Sequence, residues 1–302
     1  MSSQAPPGRD ADERYRALID QEALHWGRGD ADPLEPQLWD DPELDQIALA
    51  PTYRHLVERA SHHASVLDLG CGDGDLAIDL ASRGPRVTGL DLSPERIARA
   101  VEQARTVGLA ERTTFEVADL NRVELPAAVY ECVTAHDALH HILELDHLLD
   151  QAHRTLVPGG HLVVSDFIGA GRLERLVWAG FYGVLPTLKP YRSKWQLRHR
   201  LRAFLASEQQ KRRALESGGS ALHDASPFES ISQGSIVRAI VERFEIVERF
   251  TYCPHWYQLV PKLRIPAAAR CALLRCFRPL DEMLNRRGIT HGSYVFVEGR
   301  KR

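Results

Sequence analysis

From position 65 to position 170 short apolar runs alternate with longer runs of helical spacing, the order expected of a doubly wound α/β sheet. Val66 to Leu69 is apolar apart from Asp68 and predicts a short buried strand. Gly70, Gly72 and Gly74 follow at alternate positions, and Leu76, Ala77, Ile78 and Leu80 then open a helix. Arg86 to Asp91 predicts a second strand ending in an acid. Ser93 suits the cap of the next helix, Pro94 its first position, and Arg96 to Val107 its body. Thr113 to Ala118 and Tyr130 to Ala135 give strands three and four. A helix from Leu143 to Leu156, a turn at Pro158, Gly159 and Gly160, and strand five from His161 to Phe167 come next. Phe244 to Phe250 and Ser293 to Glu298 supply strands six and seven. The fold class that follows is α/β: a Rossmann-like, doubly wound, seven-stranded and mostly parallel sheet.

The flanking segments divide the rest of the chain. Residues 1–12 are polar, contain Pro6, Pro7 and Gly8, and read as a disordered tail without the apolar core of a leader. Residues 13–60 read as an N-terminal helical lid, with one helix from Tyr15 to Trp26 broken by Gly27 and Gly29, a proline-rich stretch, and a second helix from Pro51 to Ala60. Residues 61–167 form the core. Residues 168–235 far exceed an ordinary connection between strands. They hold an apolar-aromatic stretch with Trp178, Phe181 and Tyr182, a basic run from Lys189 to Arg213, and a link from Ser217 to Ser220. This segment is expected to cap the C-terminal edge of the sheet, where ligands of such folds bind. Residues 236–302 return to the core. An excursion from Cys253 to Arg287, with an amphipathic helix over Ala267 to Phe277, could complete the pocket or make a homodimer contact.

Composition narrows the partners. A net charge of −3 provides no general attraction to nucleic acid or anionic membrane, so neither is expected as a partner. No apolar run approaches the roughly 20 residues that span a bilayer. The cysteines at 71, 132, 253, 271 and 276 form no C-x-x-C pair, which suits a reduced, cytoplasmic protein with no structural metal. The basic run could bind an acidic substrate or RNA, although such runs are more often solvated helix faces.

Alternate glycines after a strand let a ligand approach the main chain closely, and the following helix turns its positive end to the same place. A dinucleotide fingerprint needs a third glycine where Asp75 stands. The acids Asp68, Asp73 and Asp75 suit a cationic ligand better than a pyrophosphate, and Asp91 at the end of strand two can accept both hydroxyls of a ribose. The run from Val66 to Leu76, the histidines after strand four, and Leu156, Val157, Pro158, Gly159 and Gly160 before strand five together resemble the class I S-adenosylmethionine-dependent methyltransferases. The resemblance implies S-adenosyl-L-methionine as cofactor and S-adenosyl-L-homocysteine as product. It places Asp68, Gly70, Cys71, Gly72, Asp91, Leu92 and His136 on the cofactor, with Asp119 on the adenine amine and Leu120 on the adenine ring. In small-molecule members of the family N-terminal helices cover the cofactor, so Tyr15 and Trp26 are expected to face ligand, with Trp178 and Tyr182 of the cap and Asp137 of the strand-four loop on the acceptor.

The chemistry implied is methyl transfer to a small molecule. His140 and His141 just past strand four and Asp166 at the end of strand five resemble features of natural-product O-methyltransferases, sugar-modifying ones among them. Strands four and five should be neighbours, which brings these groups together. A histidine can remove a hydroxyl proton near neutral pH, and a carboxylate can orient it. His141 is the favoured base and His140 the alternative. The Asp and His of this loop also resemble those of phosphobase N-methyltransferases, and a binding protein or cyclase on the same fold stays open. No Asn/Asp-Pro-Pro-aromatic motif of base-modifying enzymes follows strand four, and three carboxylates for a catalytic metal cannot be assembled.

Overall fold

The computed structural model describes residues 9–28, 36–169, 171–191, 226, 228 and 230–302. The basic run beyond position 191, the link at 217–220 and residues 1–8 of the expected tail lie outside the described residues. Seven strands, β1 (Ser65–Leu69), β2 (Arg86–Asp91), β3 (Thr113–Val117), β4 (Tyr130–His136), β5 (Leu156–Phe167), β6 (Glu245–Pro254) and β7 (Gly292–Arg300), form one sheet in the order β3-β2-β1-β4-β5-β7-β6. β1 to β5 run parallel, and β7 is antiparallel to both of its neighbours. The order reverses between β1 and β4, so their C-terminal ends open a crevice.

Both faces of this sheet are covered, which explains why its strands read as apolar runs. Val66, Cys132, Val163 and Phe296 pack on one face with Leu56 of α3 (Ala50–Ala60) and Leu80 of α4 (Asp75–Ser82). Leu67, Leu69, Val133 and Val164 point the other way, toward Leu148 of α6 (Leu145–Thr155) and Ile240 of α8 (Ile236–Arg243). A third cluster joins Leu44 of α2 (Pro42–Ala48) to Leu274 of α9 (Ala267–Arg286) and Tyr294. Ser93 caps α5 (Pro94–Thr106) by accepting from the Arg96 N–H at 3.4 Å, as its position predicts.

Several boundaries differ from the sequence expectation for physical reasons. Helix α1 spans Arg9–Arg28, taking in residues assigned to the tail and passing through Gly27. That glycine is a close approach rather than a stop, because a Cβ there would meet Glu95 Oε2 at 3.1 Å and Ser93 Oγ at 3.3 Å. Pro42 starts a helix instead of breaking one: Asp41 accepts from the N–H groups of Glu43 and Leu44, and proline needs no such partner at the first position. β5 begins at Leu156, so Pro158 to Gly160 form an irregularity within the strand, where the pairing with β4 shifts register. Among the described residues the remaining α-helix, α7 (Arg172–Val184), follows β5. No helix among the described residues is long and apolar enough to cross a membrane.

Candidate functional site

The turn after β1 is built from its backbone outward. Gly70 adopts φ +73°, and its N–H and that of Cys71 donate to the Leu90 carbonyl at 2.8 and 3.0 Å, tying the turn to the end of β2. The Gly72 N–H donates to Asp91 Oδ2 and the Ser93 N–H to Oδ1, both at 2.9 Å, so this carboxylate is fixed in orientation at the sheet edge. Gly70 has no room for a side chain: a Cβ would lie 2.5 Å from that of Ala138. Gly70→Ala should therefore lose about 1–3 kcal/mol of stability through strain and overpacking, read from the denaturant midpoint. An unchanged midpoint would show that the turn yields.

Beyond β3, Asp119 accepts from the Tyr15 hydroxyl at 2.7 Å and from the Asn121 N–H at 3.0 Å. The Arg122 guanidinium lies 3.8 Å from the centre of the Tyr15 ring and bonds Asp12, fastening α1 along this edge. Burial, followed by the bond to Asp119, pushes the Tyr15 hydroxyl pKa well above its ordinary value, so Tyr15 stays a neutral donor.

Past β4, Asp166 organises the loop. It is fully buried, its Oδ1 accepts from His140 Nδ1 and from its own neighbour Phe167 N–H at 2.7 Å, and its Oδ2 accepts from the N–H groups of Ala138 (3.0 Å) and Leu139 (2.7 Å). Asp137, His140 and Asp166 bring ligand atoms within 4.8 Å of one another, a grouping that could hold a metal ion. Asp166 nevertheless has four donors on its two oxygens, which fills the capacity of an ionised carboxylate and leaves no lone pair for a metal.

His141 takes a different partner. Its Nδ1 lies 3.3 Å from Glu22 Oε1, and its ring meets Trp26 edge-on with centroids 4.9 Å apart. Glu22 is 3% exposed, and it also accepts from Trp26 Nε1 at 2.8 Å, from Ser226 Oγ and from the Phe228 N–H. Burial alone would raise the Glu22 pKa, but the neighbouring His141 imidazole together with these donors holds it below the usual carboxylate value. Glu22 is thus held as an anion against the imidazole.

These pieces face one cleft, open to solvent on one side. Gly70, Asp91, Leu92, Asp119, Leu120 and Asn121 line its β1–β3 side; Asp137, Ala138, His141 and Ile142 line the β4 side; Glu22, Trp26 and Phe228 close over it. Arg96 also lines it, 5.7 Å from the Trp26 ring centre and 3.4 Å from Asp73. Of the residues expected on ligand, Asp68, Cys71, Gly72, His136, His140 and Asp166 stand behind this lining. His136 Nδ1 is 3.3 Å from the Ser165 carbonyl and its ring packs on Tyr53. Tyr15 is spent on Asp119. Trp178 and Tyr182 lie on α7, which packs against the 3-10 turn His255–Gln258, and neither lines the cleft.

Sequence reasoning placed both histidines near Asp166; Asp166 holds His140, the alternative base, and His141 lies beside Glu22. Glu22, Arg96, Asn121 and Phe228 were not anticipated. A signal for Glu22 exists: Ile19, Glu22, Ala23 and Trp26 fall at i, i+3, i+4 and i+7, so the acid interrupts an inward-facing stripe.

Residues 66–160 match the family described as "Methyltransferase domain". The 27-O-demethylrifamycin SV methyltransferase of Amycolatopsis mediterranei is 32% identical over 161 residues, 51% of this chain and 57% of that protein. Methyltransferase GfsG of Streptomyces halstedii is 31% identical over 177 residues, 56% of this chain and 59% of the relative, so the matches span little more than half of either relative. Among solved structures, the [4+2]-cyclase SpnF superposes with a TM-score of 0.51 at 17% identity, covering 99% of both chains, which speaks for the fold alone.

Proposed function

We propose that this chain, which belongs to the class I S-adenosylmethionine-dependent methyltransferases through residues 66–160, methylates a hydroxyl of a small natural-product acceptor, with His141 as the base and Glu22 orienting it. The observation that carries this reading is the single cleft, which joins the nucleoside-type groups Asp91 and Asp119 to the His141–Glu22 pair. The residues fit a cationic adenosyl ligand. Four acids (Glu22, Asp91, Asp119 and Asp137) line the cleft against Arg96, which leans on Asp73, and the Gly70 turn is too tight for a Cβ. Asp91 would take the ribose hydroxyls, Asp119 the adenine amine, and Leu92 and Leu120 the ring.

Bound S-adenosylmethionine would supply an electrophilic methyl group on a sulfonium. The chain's own part is to place an acceptor oxygen in line, between Trp26, Ile142 and Phe228, and to exclude water there. The His141 imidazole would accept the proton that the acceptor hydroxyl loses, and the Glu22 anion would stabilise the resulting imidazolium. The rifamycin relative supports a natural-product acceptor.

Calorimetry tests the cofactor assignment. S-adenosylhomocysteine should bind and NAD should not, and Asp91→Ala should weaken binding by about 1–3 kcal/mol through lost charge-assisted hydrogen bonds. Unchanged affinity in a folded Asp91→Ala variant would remove Asp91 from the cofactor site.

A further inference from the structure

Asp137 is held in a conformation that the fold alone does not reward. Its φ of +53° lies in the left-handed region, unusual for a residue with a side chain. Its backbone is fixed there from both sides: its own N–H donates to the Ser165 carbonyl at 2.9 Å, and the next two N–H groups donate to Asp166. The side chain is 36% exposed and lines the cleft, yet its Oδ1 is buried with no hydrogen-bond partner among the described residues. The nearest cation-forming atom, His140 Nδ1, is 3.8 Å away and directs its bond to Asp166 at 2.7 Å. Burial, ahead of every charge nearby, raises the Asp137 pKa. A strained backbone and a buried oxygen without a donor both cost stability, and together at a cleft they mark a group whose partner is a ligand.

The position of Asp137 identifies that ligand. Asp91 and Asp119 occupy the β2 and β3 ends of the cleft, while Asp137 stands at the end of β4, on the side of His141, Ile142 and Trp26. We propose that Asp137 anchors the methyl acceptor by accepting a hydrogen bond from a second O–H or N–H donor placed beside the hydroxyl that is methylated. The acceptor class is therefore a vicinal diol or amino alcohol, aromatic or alicyclic, without an anionic group at this end. The inference rests on reading the cleft as a methyl-transfer site.

The test uses the full chain saturated with S-adenosylhomocysteine, EDTA in the buffer, and catechol, 2-aminophenol and phenol as probes in calorimetry or ligand-observed NMR. At least one two-donor probe should bind roughly tenfold more tightly than phenol, the ratio one charge-assisted hydrogen bond provides. Whichever of the two does so names the donor. Asp137→Asn and Asp137→Gly should bring that ratio below about threefold, with S-adenosylhomocysteine affinity kept. Asp137→Gly should melt no lower than the parent, because glycine accepts the left-handed backbone freely. Equal binding of all three probes by the parent overturns the proposal. So does a ratio that survives in the variants, a lowered melting temperature in Asp137→Gly, or selectivity that appears only when Mg²⁺ replaces EDTA. A parent protein that binds no S-adenosylhomocysteine would instead sink the methyltransferase reading itself.

Discussion

Replacing His141 by alanine is expected to slow methyl transfer to catechol by roughly 10²–10⁴-fold, the usual contribution of a positioned general base, while S-adenosylhomocysteine binds as before. His141 lines the cleft, whereas His140 is buried behind it on Asp166. Glu22→Gln should reproduce part of the loss. The amide keeps the shape but removes the charge facing the imidazole, and its NH₂ would meet the Trp26 and Ser226 donors that the carboxylate now accepts. His140→Ala separates the two histidines. It leaves the buried Asp166 with only backbone donors and should cost about 1–3 kcal/mol of stability, with a much smaller effect on the rate of the folded fraction. A full-rate His141→Ala enzyme, or a His140→Ala enzyme that is stable but inactive, would reverse the assignment.

The sheet is legible in the sequence because its central strands are buried on both faces and their apolar runs have no competing explanation. The β1–β3 side of the cleft is legible for a related reason. A glycine turn and the acids ending β2 and following β3 depend on local backbone, so Gly70, Asp91, Asp119 and Leu120 stand in the cleft as their positions suggest. The acceptor end depends on contacts far apart in the chain. Glu22 reaches His141 across more than a hundred residues and Ser226 across about two hundred, and no local spacing encodes either contact. The adjacent histidines ending the 3-10 turn Leu139–His141 keep their rings 4.1 Å apart yet meet different acids, His140 Asp166 and His141 Glu22 of α1. Residue type alone cannot say which goes where. Trp178 and Tyr182, aromatic side chains in an insertion, lie on α7, which packs against the neighbouring 3-10 turn, outside the lining of this cleft.

The other large expected effect lies beneath the cleft, at Asp68. This side chain is 1% exposed; its Oδ1 accepts from the Thr134 hydroxyl at 2.8 Å, and its Oδ2 has no hydrogen-bond partner among the described residues. Burial, opposed by the Thr134 bond and reinforced by the charge of Asp91, raises its pKa from 3.8 to about 7. Because the folded-state pKa is the higher one, the folded protein holds a proton that the unfolded chain releases. The contribution of Asp68 to stability is therefore fully present below pH 4, declines as pH rises toward 7, and is lost above that, a change of about 4 kcal/mol from this group. Asp68→Asn keeps an acceptor for Thr134 and never ionises. It should raise the melting temperature by several degrees at pH 8, where the parent carries the buried charge, and change it little at pH 4. A carboxylate kept at that cost two residues before the glycine turn is what a stability–function trade-off produces, so the same variant should bind S-adenosylhomocysteine more weakly than the parent. If Asp68→Asn instead melts lower at pH 8, the ionised carboxylate is satisfied in the folded protein, and its burial stabilises rather than strains the site.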